Sequence, residues 1–146
     1  MFYAIKATEI EPGKWEGSCR DIPECLYEAN SKEEALELAK SMVPGTLELF
    51  YRRKRKVIPM PSPAEEGEEP IYIPARVQAK IALWNYLVSN RYRLSDISKL
   101  LDISPAQTQR LVDLSKDGAS MEAIEDVLYK LGLHFEVRAV AQPKAA

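Results

Sequence analysis

The chain has 146 residues, 46% hydrophobic and 29% charged, with a net charge of −2, the balance of an ordinary globular protein. No apolar run approaches the ~18 residues of a membrane-spanning helix, and the start Met1-Phe-Tyr-Ala-Ile-Lys6 lacks the basic stretch and apolar core of a signal peptide, so no membrane partner and a cytoplasmic location are expected. Two cysteines, Cys19 and Cys25, are too few for a disulfide framework and read as reduced, partly buried thiols.

In chain order, Phe2–Glu9 alternates loosely and reads as a strand, Pro12-Gly13-Lys14 as a turn, and Trp15–Arg20 as a second strand. Asp21-Ile-Pro-Glu24 breaks the chain, and Cys25–Glu28 reads as a third strand. Asn30 or Ser31 caps a helix whose first turn holds Glu33 and Glu34, where the dipole favours acids. Ala35, Leu38, Ala39 and Met42 form its apolar stripe, and Pro44-Gly45 should end or kink it. Leu47–Arg53 resumes the helix, and Val57-Ile58 reads as an edge strand. The basic run Arg52–Lys56 reads as a solvated helix end rather than a nucleic-acid patch. Residues 59–70 contain four prolines and no helical or strand period, which marks an extended linker.

Beyond it, Pro74 suits the first turn of a helix running to about Ser89, with Val77, Ile81, Trp84, Leu87 and Val88 facing inward. Ser95 caps a short helix to Leu101, Ser104 another to about Leu114, and Ser120 a last one ending at Leu131 with Gly132 as a left-handed cap. Leu133–Val140 alternates like a strand. The whole reads as an α+β protein: a β-β-β-α-β domain over 1–58, a Pro/Glu linker over 59–73, an all-α domain with a C-terminal strand over 74–140, and a disordered tail over 141–146.

Charge separates the same two parts. Residues 1–50 carry ten acids against five bases, whereas residues 75–146 carry ten bases against eight acids. An acidic front and a mildly basic rear suit different partners.

Leu94–Val112 has the pattern of a helix-turn-helix. Ile97, Leu101, Ile103 and Leu111 fall where two crossed helices bury apolar groups, and Asp102 occupies the turn, where a left-handed backbone is needed. Ser104-Pro-Ala-Gln107 is a strong helix start with a capping box. On the helix that follows, Gln107, Gln109 and Arg110 carry groups that pair with adenine or guanine edges, with Ala106 beside them. Ser104, Arg93 and Lys99 are candidate phosphate contacts. Thr108 takes an inward position usually held by a branched aliphatic residue.

Enzyme chemistry finds no constellation. The single histidine, His134, has no nucleophile motif to pair with, and the cysteines lack further ligands at zinc spacing. No catalytic residue, metal or cofactor is therefore expected. A nuclease built on Asp21 and nearby glutamates would need several converging carboxylates, and the acids read better as an exposed surface.

Gly13-Lys-Trp-Glu-Gly17, Asp21-Ile-Pro-Glu-Cys25, Ser31-Lys-Glu-Glu-Ala-Leu-Glu-Leu-Ala39 and Ile58-Pro-Met-Pro-Ser-Pro63 together resemble the HicB antitoxins, in the subgroup with a helix-turn-helix. The resemblance reaches to about Val140. It implies a partial ribonuclease-H-like front domain without catalytic acids. That domain would bind and neutralise HicA, a small basic toxin that cleaves messenger RNA. The rear domain would bind operator double-stranded DNA to repress its own operon, which places the protein on the nucleoid when bound, and would form dimers or tetramers. Asp21, Glu24 and Tyr27 near the Asp-x-Pro turn, with Trp15, are the expected toxin contacts. Leu133, Phe135 and Val137, on one face of the alternating C-terminal segment, are the expected dimerisation residues. The competing reading is a free-standing helix-turn-helix transcription regulator whose front domain senses a ligand or partner.

Overall fold

A computed structural model describes residues 1–144. Four strands form one antiparallel sheet: β1 (Phe2–Glu11), β2 (Lys14–Cys19), β3 (Ile22–Ala29) and β4 (Glu68–Tyr72), in the order β3-β2-β1-β4. The β1–β2 turn is tight because Gly13 takes φ +75, a conformation that costs glycine nothing. One face of the sheet carries Tyr3, Ile5, Cys19, Cys25, Tyr27 and Ala29, all buried.

Helix α1 (Lys32–Leu47) covers that face. Its fully buried residues Ala35, Ala39, Val43 and Leu47 recur every four positions, so the stripe is tilted from the expected one, and Leu38 and Met42 lie at its half-buried margin. The alanines let the helix approach closely. Gly17 pairs with Tyr27 across β2 and β3, the tyrosine ring fills the space a Cβ at position 17 would need, and its hydroxyl donates to the Ala35 carbonyl at 2.6 Å. Burial pushes the Cys19 thiol up to about 11 and raises that of Cys25, so both are protonated core groups at neutral pH.

Three expectations are corrected here. Pro44-Gly45 does not end α1, which runs on to Leu47 and passes into a π-helical turn over Glu48–Arg52. Burial of the Val43–Leu47 side chains holds the helix through the missing amide. The fourth strand is not Val57-Ile58: Ile58 is fully buried, and its amide and carbonyl are satisfied by the Asn85 side chain at 2.8 and 3.0 Å. Nor is 59–73 a free linker. Its second half is β4, which pairs with β1 from Phe2↔Tyr72 to Lys6↔Glu68. Pro70 is tolerated because β4 is an edge strand. The run of prolines and glutamates hid a strand whose one strongly apolar inward residue is Ile71.

Helices α2 (Ala75–Ser89), α3 (Leu94–Leu101), α4 (Pro105–Val112) and α5 (Met121–Lys130) make up the rear. Ile81, Leu83, Trp84, Leu87, Ile97, Leu111, Val112, Ile124, Val127 and Leu128 fill their centre. Front and rear residues belong to one continuous core, which also takes in Ile58, Ile71 and Ile73. The C-terminal strand expected over Leu133–Val140 is not formed: the segment has no regular structure and pairs with no strand among the described residues. Leu133 and Phe135 lean half-buried on the core, while Val137 is 88% exposed. Residues 141–144 have no regular structure, and the rest of the expected tail lies outside the described residues.

Candidate nucleic-acid interface

The α3–α4 pair is built from short-range chemistry. Helix α3 begins two residues earlier than a Ser95 cap would place it: Arg93 is the N-cap, Asp96 accepts from its amide at 2.8 Å, and Ser95 is an ordinary first-turn residue. The turn bends at Asp102, with φ 54 and ψ 51, as a left-handed residue must. Helix α4 starts with a complete capping box. The Gln107 amide donates to Ser104 Oγ and the Ser104 amide donates to Gln107 Oε1, both at 3.1 Å, and Pro105 sits at the first helical position.

Thr108 is 1% exposed, and its hydroxyl faces two partners. It donates to the Ser104 carbonyl at 3.0 Å and lies 2.6 Å from Ser98 Oγ on α3. The inward threonine is thus a polar tie between the helices, satisfied on both sides. Its signal in the sequence was Ser98, ten residues earlier and itself on the inner side of α3.

Every other candidate on α4 points outward. Ser104, Ala106, Gln107, Gln109 and Arg110 are exposed, as are Arg93 and Lys99 on the α3 side. Lys99 and Gln109 line a shallow groove of about 310 Å³ between the helices, with Leu94, Ser98 and Pro105. Gln107 differs from the others in that its carbonyl oxygen is committed to the cap. The Arg110 stem runs across Gly118, where an added Cβ would come within 2.9 Å of it. That glycine therefore fixes the path of the arginine.

The back of α4 is held by buried charge. Lys80, 1% exposed, donates to the carbonyls of Asp113 at 2.8 Å and Lys116 at 2.6 Å, and burial lowers its pKa. Glu48 of the π turn, also 1% exposed, accepts from the Leu114 amide at 3.0 Å.

Four of the five bases in the run, Arg53, Lys54, Arg55 and Lys56, are exposed as a solvated helix end would be, but Arg52 is not. Arg52 is 6% exposed and paired with Glu48, and Arg53 Nε donates to the same carboxylate at 2.9 Å. Arg55 donates to the Tyr92 carbonyl at 2.9 Å. Arg52 and Arg55 both lie over the Trp84 ring, and Trp84 Nε1 donates to the Lys56 carbonyl at 2.9 Å. Spacing offered a clue: Glu48 and Arg52 are one helical turn apart.

The front residues fall into two groups. Asp21 is used internally, its carboxylate accepting from the Ser62 amide at 2.8 Å and from the Ser62 hydroxyl. Tyr27 is buried under α1. Neither side chain is free to meet a partner in this conformation. Glu24 is exposed on the edge strand β3 and accepts from the Tyr51 hydroxyl at 2.7 Å. Trp15 is half-buried on β2, where it pairs with Ala29 at the far end of β3 from Glu24. Burial, and then the Glu24 bond, raises the Tyr51 phenol to about 12. Arg20 ties the turn to β4 by donating to both Glu68 oxygens at 3.1 and 3.3 Å.

Relatives fit this layout. Residues 2–82 match the family described as HicB_like antitoxin of bacterial toxin-antitoxin system, a span that takes in the whole sheet, α1 and the start of α2. Antitoxin HicB 2 of Photorhabdus laumondii is 31% identical over 140 residues, covering 96% of this chain and 97% of the relative. Antitoxin HicB of Pseudomonas fluorescens is 29% identical over 130 residues, covering 89% and 88%. Antitoxin HicB of Escherichia coli K12 is 27% identical over 114 residues, covering 78% and 82%. The likeness to full-length antitoxins extends through α3, α4 and α5, and the chain belongs to the HicB-like antitoxin family of bacterial toxin–antitoxin systems.

Proposed function

We propose that this antitoxin works through two surfaces: it neutralises a HicA-type messenger-RNA-cleaving toxin by direct binding, and it represses its own operon by binding operator DNA. The DNA-binding reading rests on one observation above all. Helix α4 is capped, tied to α3 through Thr108 and Ser98, and presents Ala106, Gln107, Gln109 and Arg110 outward. A rigid short helix with an exposed polar face suits a major groove. Gln109 and Arg110 are free to read base edges, while Gln107 offers only its amide NH2 because its oxygen holds the cap. Arg93, Lys99 and Ser104 flank that face as phosphate contacts.

The toxin surface is the front sheet, read as a partial ribonuclease-H-like domain. Glu24 and Trp15 remain the contacts available there, on the outer half of the sheet toward its β3 edge. The excess of acids in residues 1–50 steers a basic partner toward it.

A second copy joins through Leu133–Val140. This segment alternates apolar and polar residues, has no ladder partner among the described residues, and exposes Val137. An unpaired alternating segment is suited to strand addition. Two copies would set two α4 helices about 34 Å apart, one DNA turn.

The test is a gel shift on DNA from the chain's own promoter, with footprinting. Protection of a near-palindromic site, lost on Arg110→Ala, supports the reading. Binding that is indifferent to sequence and to Arg110 rejects it. Removal of residues 134–146 should convert dimers to monomers by light scattering.

A further inference from the structure

We propose that the Glu48 carboxylate couples the two halves of the molecule, so that occupancy of the front sheet alters the DNA affinity of α4; the inference rests on the two-surface reading above. The π turn over Glu48–Arg52 touches three environments at once. Tyr51 donates to Glu24 on the β3 edge at 2.7 Å. Leu49 and Phe50 face solvent, 52% and 38% exposed. Glu48 and Arg52 face the rear helices, 1% and 6% exposed.

Glu48 is the joint because its carboxylate is shared. Within the turn it accepts from Arg52 Nε at 2.7 and 2.8 Å and from Arg53 Nε at 2.9 Å. Across to the rear it accepts from the Leu114 amide at 3.0 Å, two residues after α4 ends. A buried amide left without an acceptor is costly, and a buried carboxylate stripped of its donors more so. The loop 113–116 must therefore follow Glu48 when the π turn shifts, whereas an apolar contact could slide. Lys80 grips the same loop from α2 through the Asp113 and Lys116 carbonyls, so the loop has one anchor in each half. Gln109 and Arg110 lie within five residues of Leu114. Local π turns inside helices recur at functional positions, and here the turn follows directly on the end of α1. A partner seated against Glu24 meets the Tyr51 side of the turn, and the displacement reaches α4 through one carboxylate.

The experiment measures operator affinity of the full chain by fluorescence anisotropy, alone and with a saturating, catalytically inactive HicA-type toxin. In the wild type that partner should change operator Kd by about five-fold or more, in either direction. In Glu48→Gln the factor should fall to within about two-fold of unity, with affinity for the partner alone unchanged. A wild-type factor near one overturns the proposal. So does a Glu48→Gln chain that keeps the wild-type factor, even with weaker operator binding, because Glu48 is then only structural. Should Glu48→Gln fail to fold, hydrogen exchange of the Leu114 amide in the wild type decides: a change on partner binding supports the coupling, and unchanged exchange overturns it. Failure of any complex to form is a different outcome and rejects the proposed neutralisation by direct binding.

Discussion

Thr108 Oγ1 lies 2.6 Å from Ser98 Oγ, a side-chain bond across α3 and α4. Each hydroxyl also has a carbonyl in reach, Ser104 for Thr108 and Leu94 for Ser98, at 3.0 and 3.2 Å. Two protons serve three contacts, so the bond across the pair always leaves one hydroxyl free to hold its own helix. Thr108→Val keeps the volume and removes the tie. Urea denaturation should show a loss of about 1–2 kcal/mol. A cycle with Ser98→Ala should show that the two changes are not additive. Additive losses would mean that the hydroxyls act separately.

Gly118 sits under the Arg110 stem, and a Cβ there would lie 2.9 Å from Arg110 Cγ. Gly118→Ala should displace the arginine without touching the core. Operator affinity should fall toward that of Arg110→Ala, a loss of about 1–3 kcal/mol with relaxed specificity at one base pair, while the melting temperature stays near wild type. Unchanged affinity in both variants would remove Arg110 from the reading surface.

Much of this was legible in the chain. The three opening strands, the Ser31 cap, the α3–α4 pair and the left-handed Asp102 follow from local chemistry, which the sequence displays directly. What was hidden depends on distant partners. β4 was masked by its prolines and glutamates, because an edge strand needs few apolar residues and its pairing with β1 lies more than sixty residues away. The buried role of Arg52 was invisible because a run of five bases looks solvated until Glu48, Trp84 and Leu114 are brought around it. Asp21 and Tyr27 looked like surface groups for the same reason: their partners, Ser62 and the Ala35 carbonyl, come from other elements.

Gly17 faces the Tyr27 ring with no room for a side chain. Gly17→Ala forces the ring, the Tyr27–Ala35 bond or the α1 position to give. Overpacking of this kind costs about 1–3 kcal/mol. Thermal unfolding should report it, and loss of partner binding should follow only in proportion to unfolding. A variant as stable as wild type would show that the sheet and α1 are looser than described.

Glu68 titrates low because the hydrogen bond from Arg20 favours its charged form. Its folded pKa lies below the unfolded value of about 4.3. The contribution is therefore complete above that value and lost as pH falls through the folded one. Between about pH 5 and pH 3, wild type should lose more stability than Arg20→Gln, whose Glu68 lacks the donor. Parallel melting curves across that range would mean that the pair does not hold β4 to the turn.

Inhibition by direct binding is the proposed role on which the others depend. The most direct measurement is co-expression and co-purification with a HicA-type toxin, followed by native mass and an assay of messenger-RNA cleavage. Direct inhibition predicts one stoichiometric complex, cleavage abolished by the wild-type chain, and weaker inhibition by Glu24→Lys. A partner that does not co-purify and cleaves at full rate in the presence of excess chain would contradict it.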